Sequence, residues 1–356
     1  MKENIDWSKW NSKEDNFKKY SHIKSNLIYG SFKEQIPEVS IMIITYKRAD
    51  GLKNALESAI NQDYTENYEI VVCDDSGFDQ ATDDLMKEYC SKYSNIVYYR
   101  HEKNLGQYAN WNRACELCRT EWYCLLHDDD ILFPEYLSKN MRFIKRQPDI
   151  GLSAVYLEVN DTRKEEHKFS ISKRIVNNLA SLFMNLTRNR LIRLSIKDNL
   201  KHIYVMNSTF INRTKAYEIG GLDDQFWPSS DFAFAAKMNF YYSTYFLPER
   251  LVKKGLGESE SLKVEVCQDS IRCAYNQTYA MCRALGYNET KSKKHASVGA
   301  VISEIGVKGY NNIDYSDVKN ELGMNSIYNN KLIITLINLY SKFNWGLLLF
   351  KKSVRG

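Results

Sequence analysis

Apolar runs alternate with helical patterns along the first part of the chain. Residues 39–46 (VSIMIITY) are rich in β-branched side chains and carry no charge, which predicts a strand covered on both faces. In residues 49–61, apolar side chains recur at the spacing of one helix face. Because strand and helix patterns alternate repeatedly, we expect an α/β fold with a mostly parallel, Rossmann-like sheet flanked by helices.

The alternation continues to about residue 150 and is looser beyond it. Further strands are predicted over residues 68–75, 95–100, 122–126, 151–159 and 202–211. Further helices are predicted over residues 79–93 and 106–118, from Pro134 onward, and over residues 179–196, 267–285 and 330–350.

The same patterning divides the chain into three regions. Residues 1–36 are polar and weakly periodic, which predicts an N-terminal extension of short helices or a partly ordered arm. Residues 37–250 carry the alternation of strands and helices, and residues 251–356 predict a C-terminal helical region. A chain of 356 residues is long enough for one large domain with an appendage, or for two modest domains.

Composition excludes several classes of protein. The chain is 44% hydrophobic and 26% charged, as globular proteins are, so wholesale disorder is excluded. A net charge of +5 is too small to predict nucleic-acid binding. Residues 161–201 nevertheless concentrate basic side chains, and both a phosphate-binding surface and a solvated helix face are open interpretations.

The cysteines and the two ends of the chain provide expectations about the cellular location of the protein. Eight cysteines without extracellular spacing predict free thiols in a reducing cytosol, and no apolar signal segment opens the sequence. Residues 332–350 are apolar but contain Lys342, so we do not predict a transmembrane span. This segment fits a helix lying peripherally on the inner face of the cell membrane, or a helix packed on the protein or on a second copy in a homodimer.

Polar residues begin where three of the predicted strands end, at Thr45, Asp74 and His127. Ligands bind at the carboxyl ends of strands in open α/β sheets, so these positions predict one shared site. Residues 127–130 (HDDD) offer carboxylates to Mg²⁺ or Mn²⁺, although an acidic cluster alone is more often a solvated turn. Neither a glycine-rich dinucleotide fingerprint nor a P-loop is present, which leaves phosphate binding to a metal ion and side chains.

Five segments occur in a distinctive order along the chain: SIMIITYKR, EIVVCDDSG, NLGQYANWNRA, WYCLLHDDDILFP and GGLDDQFWPSSDFAF. In this order and spacing they resemble the family-2 inverting glycosyltransferases of the GT-A fold, over about residues 38–250. The resemblance implies a nucleotide-sugar half over residues 37–135 and an acceptor half over residues 136–250. It also implies transfer of a sugar from a UDP- or dTDP-sugar to a saccharide or lipid-linked saccharide in surface polysaccharide synthesis.

The resemblance assigns donor and metal roles to individual residues. At the nucleotide base, contacts are implied for Thr45, Tyr46 and Arg48, and Asp75 would accept the ring N–H of uracil or thymine. Near the donor sugar, the implied residues are Asn104, Gly106, Gln107 and Asn112. Lys253 and Lys254 would contact the diphosphate, and Asp128 is also implied in donor binding. Asp129 is implied as the chief ligand of Mn²⁺ or Mg²⁺, with Asp128 and Asp130 in support. His127 stands where the family's D-x-D motif has its first aspartate.

The resemblance also implies the catalytic base. Asp231 would remove a hydroxyl proton from the acceptor while the metal ion stabilises the departing nucleoside diphosphate. Trp227 would form a wall of the acceptor pocket. Considered without the resemblance, Asp231 also fits a helix N-cap and Trp227 a core position. Two other functions stay open, namely a nucleotidyltransferase that makes a sugar nucleotide and a non-catalytic protein that binds nucleotide sugars or saccharides.

Overall fold

The computed structural model describes residues 5–147, 149–161, 190–200, 208–256, 263–308, 314–324, 332–337 and 353–355. Its strands are β1 (Ser25–Tyr29), β2 (Val39–Thr45), β3 (Tyr68–Asp74), β4 (Ile96–His101), β5 (Trp122–His127), β6 (Asp130–Leu132), β7 (Ile150–Asp161), β8 (Arg190–Leu194), β9 (Phe210–Asn212), β10 (Ser243–Leu256) and β11 (Ser353–Arg355). Its α-helices are α1 (Ala49–Ile60), α2 (Gln80–Lys92), α3 (Gln107–Leu117), α4 (Tyr136–Ile144), α5 (Ile196–Asn199), α6 (Arg213–Glu218), α7 (Ser230–Tyr241), α8 (Val264–Ala284), α9 (Glu289–Lys308) and α10 (Ser316–Glu321).

These strands form one mixed sheet in the order β1, β4, β3, β2, β5, β9, β7, β10, β8, β11, with β6 paired to β10. β2 pairs in parallel with β3 and β5, and β3 pairs in parallel with β4. β7 and β10 are also parallel, whereas β9 runs antiparallel to both of its neighbours. The predicted α/β fold with a sheet flanked by helices is confirmed, with antiparallel pairs outside the parallel groups.

The central strand β2 is buried along its whole length. Successive side chains of a strand point to opposite faces of the sheet. Ile43 accordingly packs with apolar side chains of α1 and α2, and Met42 packs with those of α3 and α7. Burial on both faces explains why this run carries no charge, and it leaves the strand end as the place for polar chemistry.

The predicted positions of the polar strand ends are confirmed. Thr45, Asp74 and His127 are the last residues of β2, β3 and β5. These three strands are neighbours in the sheet and run parallel, so their ends lie along one edge.

One predicted helix is wrong over part of its length. Residues 190–194 form β8, which pairs antiparallel with β10, whereas the pattern predicted a helix over residues 179–196. Leu191 and Leu194 are buried in this strand. Pairing with the long strand β10 outweighs the local helical spacing, as tertiary context does elsewhere. Residues 162–189, and residues 202–207 of a predicted strand, lie outside the described residues.

The chain before residue 37 is more closely integrated than its polar composition predicts. β1 pairs with β4 at the margin of the sheet, and the side chains of Trp10 and Phe17 are buried. The 3-10 helices Trp7–Lys9 and Phe17–Tyr20 agree with the expected short helices. The segment is therefore not an arm that precedes the ordered fold.

The C-terminal region packs on the sheet-bearing part of the chain through α8. Met281 of α8 shares a buried cluster with Ala236 of α7, and Ile271 of α8 shares another with Val301 of α9. None of the helices in the described part of the chain has both the length and the apolarity to cross a membrane. Residues 332–337 of the helix predicted over 330–350 are helical, and its remainder lies outside the described residues. All eight cysteines are free thiols, as predicted.

A buried hydrogen-bond chain connects β1 with α3 through His101. Nε2 of His101 lies 2.9 Å from Oδ1 of Asn110, whose amide donates to the carbonyl of Cys73, so this nitrogen carries the proton. Nδ1 of His101 accepts the hydroxyl hydrogen of Ser25 at 2.8 Å. Burial lowers the pKa of His101 to about 4, and the charge of Arg113 acts in the same direction. The imidazole is therefore neutral in the fold.

Acid is expected to destabilise the protein through His101. The folded pKa of about 4 lies below the ordinary value of 6.5, so the stability that depends on neutral His101 is complete above that value and is lost as the pH falls towards 4. Between about pH 7.5 and pH 5, the wild type should lose about 2 kcal/mol more unfolding free energy than His101→Gln. Urea unfolding at both pH values measures the difference. His22→Gln, at an exposed histidine, is the control and should follow the wild type. Equal pH dependence of the wild type and His101→Gln would contradict the prediction.

Candidate active site

The carboxyl ends of β2, β3 and β5 open into a cavity of about 520 Å³. This volume lies within the range of small-molecule sites, about 300–1,000 Å³. The predicted site residues that line it are Thr45, Tyr46, Arg48, Asp75, Asn104, Gly106, Gln107, Asp128, Asp129, Trp227, Asp231 and Lys254. Asp129 and Asp231 thus line one shared cavity, although they lie far apart in the sequence.

The loop after β2, residues 45–48, is tied to Asp128. The hydroxyl of Thr45 donates to Oδ2 of Asp128 at 2.8 Å, and the backbone N–H of Tyr46 donates to the same oxygen at 3.3 Å. The guanidinium of Arg48 lies 3.5 Å from Oδ1. Burial raises the pKa of Asp128 to about 6, while these contacts favour its charged form. Asp128 therefore orders the first loop.

The carboxylate of Asp75 organises the turn before α3. Its two oxygens accept the backbone N–H groups of Leu105 at 2.6 Å and Gly106 at 2.9 Å. The side-chain amide of Asn104 donates to the backbone carbonyl of Asp75 at 3.2 Å. Burial raises the pKa of Asp75 to about 6, although the hydrogen bonds from the two backbone N–H groups favour the charged carboxylate and lower its pKa. Because each carboxylate oxygen has a further lone pair, Asp75 can also accept an N–H from a ligand.

His127, Asp129 and Asp130 form a cluster suited to a metal ion. One potential ligand atom from each residue lies within 4.8 Å of the others. The cluster differs from the predicted set, because Asp128 is held by the first loop and His127 is present instead. Burial lowers the pKa of His127 to about 4, which leaves the imidazole neutral and able to act as a ligand. The sequence analysis treated His127 only as a departure from a motif, although histidine is itself a common ligand.

The end of β10 supports the turn after β5, residues 127–130, which carries this cluster. The backbone N–H of Gly255 donates to the carbonyl of Asp129 at 3.1 Å, and a Cβ on Gly255 would lie only 2.3 Å from that oxygen. Glycine is required for this close approach. The neighbouring Lys254 lines the cavity, whereas Lys253 does not. Successive strand residues point to opposite faces, which explains why only one of the two predicted lysines reaches the cavity.

Asp231 lies in the first turn of α7. Its Oδ1 accepts the backbone N–H of Phe232 at 2.9 Å. Burial raises the pKa of Asp231 to about 6, although that N–H and the positive charge of Lys254 oppose the shift. Such a carboxylate is charged at neutral pH and remains basic enough to accept a proton. The loop before it is held by Tyr108, whose hydroxyl donates to the carbonyl of Pro228 at 2.7 Å.

Three predicted residues, Asn112, Lys253 and Asp130, are not among the residues that line the cavity. The buried amide of Asn112 donates to the carbonyl of Leu222 and accepts its N–H, both at 2.8 Å. Asn112 therefore fixes the Gly-Gly-Leu segment and does not line the cavity. Asp130 is fully buried in the turn after β5.

Several lining residues were not predicted: Ile44, Tyr108, Asn110, His127, Pro228 and Val266. Val266 belongs to α8, so the C-terminal helical region contributes to the cavity wall. No local pattern pointed to this residue, because its role depends on how α8 packs against the strand ends. Trp227, 37% exposed, lines the same cavity.

Known proteins resemble this chain in sequence and in fold. The family model described as "Glycosyl transferase family 2" matches residues 40–219. An uncharacterised glycosyltransferase of Methanocaldococcus jannaschii is 31% identical over 147 residues, which cover 39% of this chain and 50% of that protein. A poly(ribitol-phosphate) beta-glucosyltransferase of Bacillus spizizenii is 32% identical over 118 residues, which cover 32% of this chain and 18% of that protein. The matches thus span half or less of these relatives' lengths.

Among solved structures, a mannosyltransferase from Pyrobaculum calidifontis in complex with GDP-Man and Mn²⁺ is similar in fold, with a TM-score of 0.52. The alignment covers 94% of this chain and 92% of that chain, at 12% sequence identity. At this identity the likeness concerns the fold alone.

Proposed function

Because the chain belongs to glycosyl transferase family 2, we propose that it is an inverting glycosyltransferase that uses a nucleoside diphosphate-sugar. The observation that carries this proposal is the shared cavity of Asp129 and Asp231. A carboxylate suited to a metal ion and a carboxylate suited to proton transfer can then serve the leaving group and the attacking group of one reaction.

The donor half, residues 37–135, binds the nucleotide. Asp75 accepts the ring N–H of uracil or thymine, since its oxygens keep lone pairs beside their backbone donors. Tyr46, 48% exposed at the cavity, offers a ring face to the base. Arg48 and Lys254 bring positive charge to the diphosphate. These features favour a UDP- or dTDP-sugar as the donor.

The turn after β5 fits a divalent cation. Nε2 of His127 is buried and has no hydrogen-bond partner among the described residues, and two carboxylates lie beside this ring. Asp129 and Asp130 would hold Mn²⁺ or Mg²⁺, which bind carboxylate oxygens. Such a cation, when bound, neutralises the charge that develops on the departing diphosphate. The Mn²⁺ in the Pyrobaculum mannosyltransferase structure supports this assignment.

The acceptor side supplies the base. Asp231 takes the proton of an acceptor hydroxyl as that oxygen forms a bond to the anomeric carbon, and the bond from this carbon to the diphosphate oxygen breaks. The nucleoside diphosphate leaves with the bonding electrons. One displacement from the face opposite the leaving group inverts the anomeric configuration. The first-turn position of Asp231 fixes the carboxylate through the N–H of Phe232 before the acceptor arrives.

The acceptor is a saccharide of a surface polysaccharide pathway. Trp227 offers a partly exposed ring on which a sugar can stack, and Val266 adds an apolar contact from α8. The name of the Bacillus spizizenii relative, which glucosylates a poly(ribitol-phosphate), supports a polymeric acceptor. The acceptor half accordingly comprises residues 136–250, with a wall supplied by α8.

Replacing Asp129 with alanine is expected to remove the gain in UDP affinity that Mn²⁺ provides. The loss should be at least about tenfold, because removing even the outer partners of metal ligands has effects of this size. Titration calorimetry of UDP with and without Mn²⁺ measures the effect, with Asp63→Ala as an exposed carboxylate control. Unchanged UDP affinity of Asp129→Ala in Mn²⁺ would refute the ligand assignment.

Transfer itself is tested by screening nucleotide sugars. A donor that binds only the native protein raises its melting temperature, so UDP-, dTDP- and GDP-sugars can be ranked by thermal unfolding. The best donor is then incubated with saccharide acceptors, and the release of free nucleoside diphosphate is followed. Acceptor-dependent release supports a transferase, whereas binding without release in the presence of a broad acceptor panel contradicts it.

A further inference from the structure

The turn after β5, residues 127–130, combines a ring nitrogen with carboxylate oxygens. We propose that His127 supplies a nitrogen ligand to the divalent cation, so that the site selects Mn²⁺ and Co²⁺ over Mg²⁺. The inference rests on the cation site of the proposed function and names the chemistry that this chain uses there.

The first observation is the position of the ring. His127, Asp129 and Asp130 each offer an atom within 4.8 Å of the others, which is close enough for one ion to join all three. Nε2 of His127 is buried without a hydrogen-bond partner among residues that the structure describes. A buried nitrogen without a partner is ordinarily unfavourable, and a bound cation would give it one.

The second observation is that the ring is held in place. His127 contacts the indole of Trp111 edge to face, with ring centroids 5.0 Å apart and an interplanar angle of 65°. Trp111 is itself buried in α3, so it restricts rotation of the imidazole. A ligand that is already oriented loses little freedom when the ion binds.

The third observation concerns Asp128, the other carboxylate that could compete for the ion. Asp128 accepts hydrogen bonds from Thr45 and from the N–H of Tyr46, and it lies beside the guanidinium of Arg48. Its other oxygen, Oδ1, lies beside this positive charge, and Asp128 is not part of the cluster that His127, Asp129 and Asp130 form. The ligand set is therefore one nitrogen and the oxygens of Asp129 and Asp130.

This set of ligands predicts which metal ions the site prefers. Mg²⁺ favours oxygen ligands in a near-ideal octahedron, whereas imidazole suits transition-metal ions. The affinity of a mixed nitrogen and oxygen site rises from Mn²⁺ to Co²⁺ along the first transition row. Replacing His127 with aspartate would restore three carboxylates, which favours Mg²⁺ by ligand type and by charge.

The test uses the full-length wild-type chain, His127→Asp and His127→Ala, titrated with Mn²⁺, Co²⁺ or Mg²⁺ alone by calorimetry. The ratio of Mn²⁺ to Mg²⁺ affinity should fall by about tenfold or more in His127→Asp. Asp63→Asn, at an exposed carboxylate, should keep the wild-type ratio. An unchanged ratio in His127→Asp overturns the proposal.

A second readout is spectroscopic and does not depend on a ratio of affinities. Pulsed electron paramagnetic resonance of Mn²⁺ bound to the wild type should detect coupling to a histidine nitrogen, and this coupling should be absent in His127→Ala. Mn²⁺ bound without nitrogen coupling would overturn the role of His127 while leaving the cation site of the proposed function intact. If Mn²⁺ does not bind the wild type even with UDP present, both proposals fail.

Discussion

Asp231→Asn is expected to lower the rate of sugar transfer by about 10²–10⁴-fold, the range that a positioned general base contributes. Asparagine keeps the size of the side chain and its oxygen, so the hydrogen bond from the N–H of Phe232 can persist. It cannot accept the acceptor's proton at neutral pH. UDP affinity and the unfolding free energy should stay close to the wild-type values, because the residues proposed to contact the nucleotide are others of the cavity.

The pH dependence of the wild type should report the same group. Burial raises the pKa of Asp231 to about 6, and only the deprotonated carboxylate can act as the base. With saturating metal and donor, the rate should therefore rise with pH through about 6 and level off above it. Initial rates between about pH 5 and 8 measure this limb, and Asp231→Asn should lack it.

The matched control for this experiment is Asp63→Asn. It makes the same chemical change at an exposed carboxylate in the loop between α1 and β3, outside the cavity. Its rate and pH profile should equal those of the wild type. Retained turnover in Asp231→Asn, with wild-type UDP binding, would remove Asp231 from the mechanism.

Gly220→Ala is expected to lower the unfolding free energy by about 3–5 kcal/mol, at the upper end of single-substitution effects. Gly220 has a φ of 79°, and a Cβ at this position would lie 1.9 Å from the backbone oxygen of Glu14. Both the backbone N–H and the side-chain amide of Asn16 donate to the carbonyl of Gly220 at 3.0 Å. The N-terminal segment therefore cannot keep its position against an alanine.

The loss of stability in Gly220→Ala should be concentrated in the N-terminal segment. Displacing it exposes the buried side chains of Trp10 and Phe17, and each apolar side chain that leaves the core costs about 1.5–3 kcal/mol. Limited proteolysis of Gly220→Ala should accordingly cut within residues 5–24 before it cuts the sheet. Urea unfolding measures the free energy.

Gly286→Ala separates the cost of backbone strain from the cost of the steric clash between residue 220 and the backbone of Glu14. Gly286 has a φ of 78°, almost that of Gly220, but no atom lies within 4 Å of its added Cβ. Only the left-handed conformation is penalised there, by about 1–2 kcal/mol. Equal destabilisation by the two substitutions would mean that the contact with Glu14 does not matter.

Much of the sheet was predictable because burial on both faces imposes a composition that can be recognised locally. The uncharged apolar run of β2 and the polar residues that end β2, β3 and β5 follow directly from this constraint. β8 was mistaken for helix, because Leu191 and Leu194 are compatible with helical spacing and become strand residues only through pairing with β10. The contribution of β1 was missed because it joins the sheet through backbone hydrogen bonds, which carry little compositional signal.

The candidate site, like the sheet, was predictable only in part. The resemblance to family-2 glycosyltransferases, carried by short segments in order along the chain, was enough to nominate Asp75, Asp129 and Asp231. The direction of each side chain was not predictable. Asp128 turns to the first loop, Asn112 to the backbone of Leu222, and Val266 enters from α8, because each depends on contacts with residues distant in sequence. Linear patterning therefore established the sheet and the chemical groups available at its edge, whereas long-range packing determined which of those groups face one another.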